Sequence, residues 1–156
     1  MKITLLTISD KMPKWVDEVS DDYAKRFAYP IQFDLIALSA PKRGSSLSSL
    51  KAKALEAHLL LGKIPSNAYV ILLDEGGKAH SSVGLSHQLE HWQNLGKPLF
   101  LVIGGADGFD PLIYARAQEK WSLSPLTFPH PLVRVLVIEQ LYRAYSILKG
   151  HPYHRA

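Results

Sequence analysis

The chain has 156 residues, one ordinary domain's worth, and is 47% hydrophobic and 21% charged, enough to build a buried core. It has no cysteine, which excludes disulfide bridges, thiolate metal sites and a cysteine nucleophile. A net charge of +4 permits a polyanionic partner without requiring one, and no apolar run is long enough to span a bilayer.

Residues 2–8 read as a strand; the run is short, lacks a small-residue cleavage site and leads into Asp10 and Lys11, so no signal peptide is expected and a cytoplasmic location is. Residues 13–27 read as a helix, opened by Pro13 and striped by Trp15, Val19, Tyr23 and Phe27. Residues 31–38 read as a strand, and Pro41-Lys42-Arg43-Gly44-Ser45-Ser46 as a basic loop. Leu47, Leu50, Ala54, Leu55, His58, Leu59 and Leu61 stripe a helix closed by Gly62. Residues 68–73 and 99–103 are short continuous apolar runs, the signature of strands covered on both faces. Between them Leu85, Leu89, Trp92 and Leu95 mark a helix ending at Gly96. Asp110-Pro111 opens a short helix to about Gln118, a brief strand follows near 120–123, and the last helix runs from Pro131 to about Lys149. This alternation predicts one α/β domain over residues 1–156, with a mainly parallel sheet and helices on both faces.

Three central strands are expected to end in unusual loops: Asp74-Glu75-Gly76-Gly77-Lys78, Gly104-Gly105-Ala106-Asp107-Gly108, and residues 122–131 with three prolines. Ligands of open α/β sheets bind beyond the carboxyl ends of the strands, and glycines let main chain approach them closely. The loops therefore predict a small-molecule site. The glycine run resembles a dinucleotide fingerprint only loosely, because no ribose-binding acid follows at the usual distance. His87 and His91 stand one helical turn apart but lack an evident third ligand, so no metal is expected.

The last helix is apolar nearly all round, with Arg134, Glu139, Arg143 and Ser146 as exceptions. A domain of this size cannot easily bury such a helix alone, which predicts a homodimer. Arg134 and Glu139 read either as a partly buried ion pair or as contacts to ligand or RNA. Behind the helix, His151-Pro152-Tyr153-His154-Arg155-Ala156 gathers two imidazoles, a phenol and a guanidinium on a proline-stiffened tail.

Ile-Gly-Gly-Ala-Asp-Gly at 103–108, Trp-Ser-Leu-Ser-Pro-Leu-Thr-Phe-Pro-His at 121–130, Arg-Val-Leu at 134–136, Glu-Gln-Leu-Tyr-Arg-Ala at 139–144 and His-Pro-Tyr-His-Arg at 151–155 together resemble the ribosomal large-subunit methyltransferase H family of the SPOUT superfamily. Lys11-Met12-Pro13 and Lys42-Arg43-Gly44 extend the likeness to the full length; Gly76-Gly77 and Gly84 depart from it, where many relatives carry charged residues. The resemblance implies a homodimer with a C-terminal deep trefoil knot. It also implies S-adenosylmethionine-dependent methylation of N3 of a pseudouridine in the intersubunit helix of 23S rRNA. Matched position by position, it implies cofactor contacts from Leu73, Gly104, Leu123, Ser124, Pro125, Leu126, Thr127 and Phe128, and tail residues needed for activity at His154 and Arg155.

On this reading His154, or a water it holds, takes the imide proton, since an imidazole titrates near working pH. Arg155 neutralises charge on the base's oxygens or clamps a phosphate, and Tyr153 stacks on the base. His130 orients the adjoining cofactor loop. Lys42, Arg43, Arg116, Lys120, Arg134, Arg143 and Arg155 are candidate RNA contacts. So small a chain has little surface for reading RNA sequence, so the substrate is expected to be a large folded particle, the ribosome. Two other classes fit the loops less fully: a dimeric nucleotide- or cofactor-binding module without methyl transfer, and a nicotinamide-dependent dehydrogenase.

Overall fold

Side chains that alternate along the central strands sort the core into two layers. A computed structural model describes residues 1–42, 44 and 47–155. Its elements are β1 (Lys2–Ser9), α1 (Lys14–Ala24), β2 (Gln32–Ser39), α2 (Ser49–Leu61), β3 (Tyr69–Ala79), α3 (Ser82–Asn94), β4 (Leu99–Ile103), α4 (Pro111–Arg116), β5 (Glu119–Ser122) and α5 (His130–Leu148), then a 3-10 turn at Pro152–Arg155. The strands form one parallel sheet in the order β2-β1-β4-β3-β5. Ile3, Leu5, Leu99 and Leu101 face Leu89 and Trp92 of α3 and Val137, Ile138 and Leu141 of α5. Their sequence neighbours Leu6, Ile8, Phe100 and Val102 face Leu60 of α2 and Ile113 of α4. A period of two in sequence thus gives a sheet covered on both faces, as expected.

Parallel pairing puts the carboxyl ends of the strands on one edge. Thr7 of β1 pairs with Ile103 of β4, and Leu73 of β3 with Trp121 of β5. Apart from the end of β3, the expected helices and strands are present with bounds moved by no more than three residues, and Asp110 caps α4 by accepting from the Leu112 N–H at 2.9 Å. One reading is corrected. Asp74–Lys78 is not a free loop but an irregular stretch inside β3: Trp121 pairs with Leu73 and again with Lys78, so the intervening residues bulge out of the ladder. Gly77 lies against the β5 main chain there, where a Cβ would stand 2.6 Å from the Trp121 nitrogen.

The end of α5 is a hydrogen-bonded reversal. Gly150 adopts φ +65°, its N–H reaches the Ile147 carbonyl at 3.1 Å, and the His151 N–H reaches Ser146 at 2.9 Å. These two bonds and a left-handed glycine turn the chain back on the helix that precedes it.

Candidate active site

Two cavities meet at the carboxyl edge of the sheet. A narrow cleft of about 80 Å³ lies between β3 and residues 121–128, and a wider cavity of about 790 Å³ lies between β1, β3 and β4. Leu73, Asp74, Glu75, Phe128 and Val133 border both. The volume of the second is in the range that holds a cofactor-sized molecule.

Of the residues expected to hold a cofactor, Leu73, Leu123, Ser124, Leu126 and Phe128 line the cleft, and Leu73, Gly104 and Phe128 line the wider cavity. Pro125 and Thr127 line neither and are exposed on the connecting loop. That loop is shaped internally: the Ser122 hydroxyl donates to the Ser124 carbonyl at 3.2 Å, and Ser124 Oγ accepts from the Leu126 N–H at 3.0 Å. The Thr127 hydroxyl donates to Glu75 Oε1 at 2.9 Å, which ties the loop to the β3 bulge. The bulge is held in turn by Asp74, which accepts from the Gly76 N–H at 2.7 Å and from the Tyr114 hydroxyl. That bond pushes the Tyr114 phenol up to about 12, with burial adding to it.

The wider cavity has acidic and imidazole groups that the loops alone do not reveal. Glu56 of α2 is 4% exposed and lies so close to Gly105 that a Cβ there would meet its carboxylate at 2.5 Å. The sequence gives no signal for it: the apolar stripe expected on α2, Leu50, Ala54, Leu55, His58 and Leu59, is exposed, and the buried side carries Ala52, Glu56, Ala57 and Leu60. Asp10 also lines this cavity. His130, the first residue of α5, lines it too, with Nε2 buried and no hydrogen-bond partner among the described residues. Burial holds this imidazole below its ordinary range, and the neighbouring Arg134 charge adds to the effect.

The narrow cleft is lined mainly by apolar side chains, and Asp10, Asp74, Glu75 and Glu56 give the wider cavity an acidic lining that suits a cationic group.

The C-terminal tail stands apart. Tyr153, His154 and Arg155 line neither cavity of their own chain. Tyr153 is fixed at Glu139, about 13 Å along α5 from His130. The ring expected to stack on a base is instead packed 4.8 Å from the Tyr142 ring and 6.4 Å from that of Tyr23. His154 is half-buried and Arg155 exposed.

Three of the expected RNA contacts, Arg134, Arg143 and Arg116, are buried or bonded within the chain. Arg134 is 2% exposed and donates to Thr7 Oγ1 at 3.0 Å, with Asp17 at 3.6 Å; the buried-ion-pair reading holds, but with Asp17 in place of Glu139. Arg143 is forked onto Glu139 at 2.7 and 3.0 Å. Arg116 donates to the carbonyls of Pro65 at 2.9 Å and Ala68 at 3.0 Å, closing the turn before β3. Arg116→Ala is therefore expected to cost about 1 kcal/mol of stability in denaturant melts and to leave the salt dependence of RNA binding unchanged. Lys42, Lys120 and Arg155 are exposed, and Arg43 lies outside the described residues. His87 and His91 are exposed on α3, and no group of three or more metal-ligating side chains occurs among the described residues. No helix among them is long and apolar enough to cross a membrane.

Comparison with known proteins identifies the family and the fold. Residues 1–154 match the family described as "Predicted SPOUT methyltransferase". Ribosomal RNA large subunit methyltransferase H of Hahella chejuensis is 44% identical over 155 residues, covering 99% of both chains. The protein of that name from Neisseria meningitidis serogroup C is 46% identical with the same coverage. A solved structure described as structural insights into the 2-OH methylation of C/U34 on tRNA aligns with 96% of this chain and 98% of its own, at a TM-score of 0.51 and 19% identity, a likeness of fold alone.

Proposed function

The chain belongs to the ribosomal RNA large subunit methyltransferase H family of SPOUT methyltransferases, and from that premise we propose that it methylates large-subunit ribosomal RNA, at N3 of a pseudouridine, with S-adenosylmethionine as donor. The observation that carries the proposal is the meeting of Leu73, Gly104, Leu123, Ser124, Leu126 and Phe128 around two adjoining cavities at one sheet edge. On this reading residues 1–156 form one methyltransferase domain of a cytoplasmic protein, and its C-terminal part carries the family's knot.

When bound, the cofactor supplies an electrophilic methyl group on a sulfonium. Leu73, Leu123, Leu126 and Phe128 give its ring an apolar slot, while Asp74, Glu75 and Glu56 set a negative field in the adjoining cavity. The chain's contribution is mainly positioning, which replaces a bimolecular search. The acceptor nitrogen must lose an imide proton; His154 takes it, directly or through one water, and Arg155 balances charge on the base's oxygens or holds a phosphate.

Because the tail lines no cavity of its own chain, it completes the pocket of a partner in a homodimer. Half-exposed Val135, Leu136 and Ile147 and exposed Leu132 of α5 offer an apolar face for that partner.

The deciding measurement is methyl transfer from isotopically labelled S-adenosylmethionine to ribosomes from cells lacking this protein, followed by mass mapping of the RNA. One methyl on a large-subunit pseudouridine is expected, with far slower transfer to a short isolated hairpin. Cofactor binding without transfer to any ribosomal RNA would overturn the proposal in favour of a binding module.

A further inference from the structure

The tail is held on α5 by a compact polar lock. The Tyr153 hydroxyl donates to Glu139 Oε1 at 3.0 Å and lies 2.9 Å from the Tyr23 hydroxyl of α1. Glu139 is itself oriented: Arg143 donates to the same oxygen from Nε and Nη2, and Gln140 Nε2 donates to the other at 2.6 Å. The Arg143 guanidinium carbon also stands 5.2 Å from the Tyr153 ring centre. Glu139 and Arg143 are one helical turn apart on a rigid element, so both approach the phenol from a fixed frame. By contrast, among the described residues the next two side chains, His154 and Arg155, make no such bond, and His154 Nδ1 is buried with no hydrogen-bond partner.

We propose that Tyr153 is a positioning residue whose hydroxyl, locked between Glu139 and Tyr23, docks the terminal turn on α5 and so fixes where His154 and Arg155 stand. The inference rests on the proposed methyl transfer for its kinetic consequence but not for the docking itself. It separates roles within the tail: one side chain faces inward and holds, and the next two face the reaction. Burial and the bonds to Tyr23 and Glu139 raise the Tyr153 phenol above its ordinary range, which keeps the hydroxyl proton in place as the donor.

Tyr153→Phe keeps the ring and removes the hydroxyl; Glu139→Gln keeps an acceptor; Glu139→Ala removes it. Amide hydrogen exchange across residues 151–155 is measured on the full-length protein, alongside the single-turnover rate at saturating cofactor and ribosome and the cofactor Kd. Tyr153→Phe is expected to speed exchange across the tail and slow transfer about tenfold, the worth of one good hydrogen bond, with the Kd unchanged. Glu139→Gln should retain most of both properties. Tyr153→Phe combined with Glu139→Ala should be no slower than Glu139→Ala alone, because both remove the same contact. A Tyr153→Phe protein that loses rate while tail exchange stays at the unaltered level would overturn the proposal and make the hydroxyl a participant in the chemistry. Full rate with a loosened tail would overturn it as well. If the unaltered protein transfers no methyl group, the functional reading has failed, and the exchange measurement still decides the docking.

Discussion

His154→Ala is expected to slow methyl transfer by two orders of magnitude or more, the usual contribution of a positioned general base, while cofactor affinity stays within twofold. The two effects separate because His154 borders neither cavity of its own chain, whereas Leu73, Gly104, Leu123, Ser124, Leu126 and Phe128 do. Alanine also leaves the Tyr153 lock in place, since that lock is made by Glu139 and Tyr23 one residue earlier. Single-turnover kinetics on ribosomes beside calorimetric titration of the cofactor would check the split. Undiminished turnover with intact binding would remove His154 from the chemistry and return the proton to solvent or to the partner's groups.

Gly77→Ala is expected to have the largest structural effect of any small substitution near the site. Its new Cβ would sit 2.6 Å from both the Lys120 carbonyl carbon and the Trp121 nitrogen, and 2.7 Å from the Trp121 carbonyl carbon. All three atoms are main chain and cannot swing away, so β3 and β5 must separate. β5 is a four-residue edge strand whose pairing is with β3 alone, so little else resists the movement. Overpacking of this kind costs about 2–3 kcal/mol, a melting temperature lower by roughly 5–10 °C. Trp121, Ser122 and Leu123 form one wall of the narrow cleft, so cofactor affinity should fall at least tenfold in the same protein. Gly76→Ala is the control: its Cβ would meet only the Asp74 carboxylate at 3.2 Å, a side-chain atom able to adjust. Thermal melts and titrations of the pair would test the contrast. Equal behaviour of the two variants would show that the bulge is not the hinge of the cleft.

Much of this architecture was readable from residue order because the central strands follow simple physics. β4 occupies 99–103 as its apolar run indicates, and Asp110-Pro111 opens α4. The edge where the loops gather was legible because parallel pairing makes the ends of separate strands meet, whatever lies between them in sequence. The extension of β3 through Asp74–Ala79 was not. Two glycines and three charges carry no strand pattern, and only the return of β5 to pair with Lys78 and Ala79 makes that stretch a strand. Glu56 escaped notice because burial of a carboxylate depends on what the fold brings against it, here the Gly105 main chain.

The arginines teach the complementary lesson. Arg116, Arg134 and Arg143 are candidate RNA contacts by charge, because cations usually face water, and Arg134 reads equally as half of a partly buried ion pair. Each has a fork of donors long enough to find carbonyls, hydroxyls or a carboxylate inside the chain, and composition cannot tell that use from RNA binding. The tail shows the same limit at closer range. Its chemical content was evident, but the inward turn of Tyr153 follows from Gly150, Glu139 and Tyr23 acting together.

α5 carries His130 at its first residue and anchors Tyr153 at Glu139, nine positions later. It therefore works as a ruler with both scale and angle. A single inserted or deleted residue between those marks would shift the tail by about 1.5 Å and swing it by about 100° around the axis. Homologous enzymes should tolerate gaps in the loop before α2 far more readily than in this stretch, and a grafted tail would need the same helical phase to be of use.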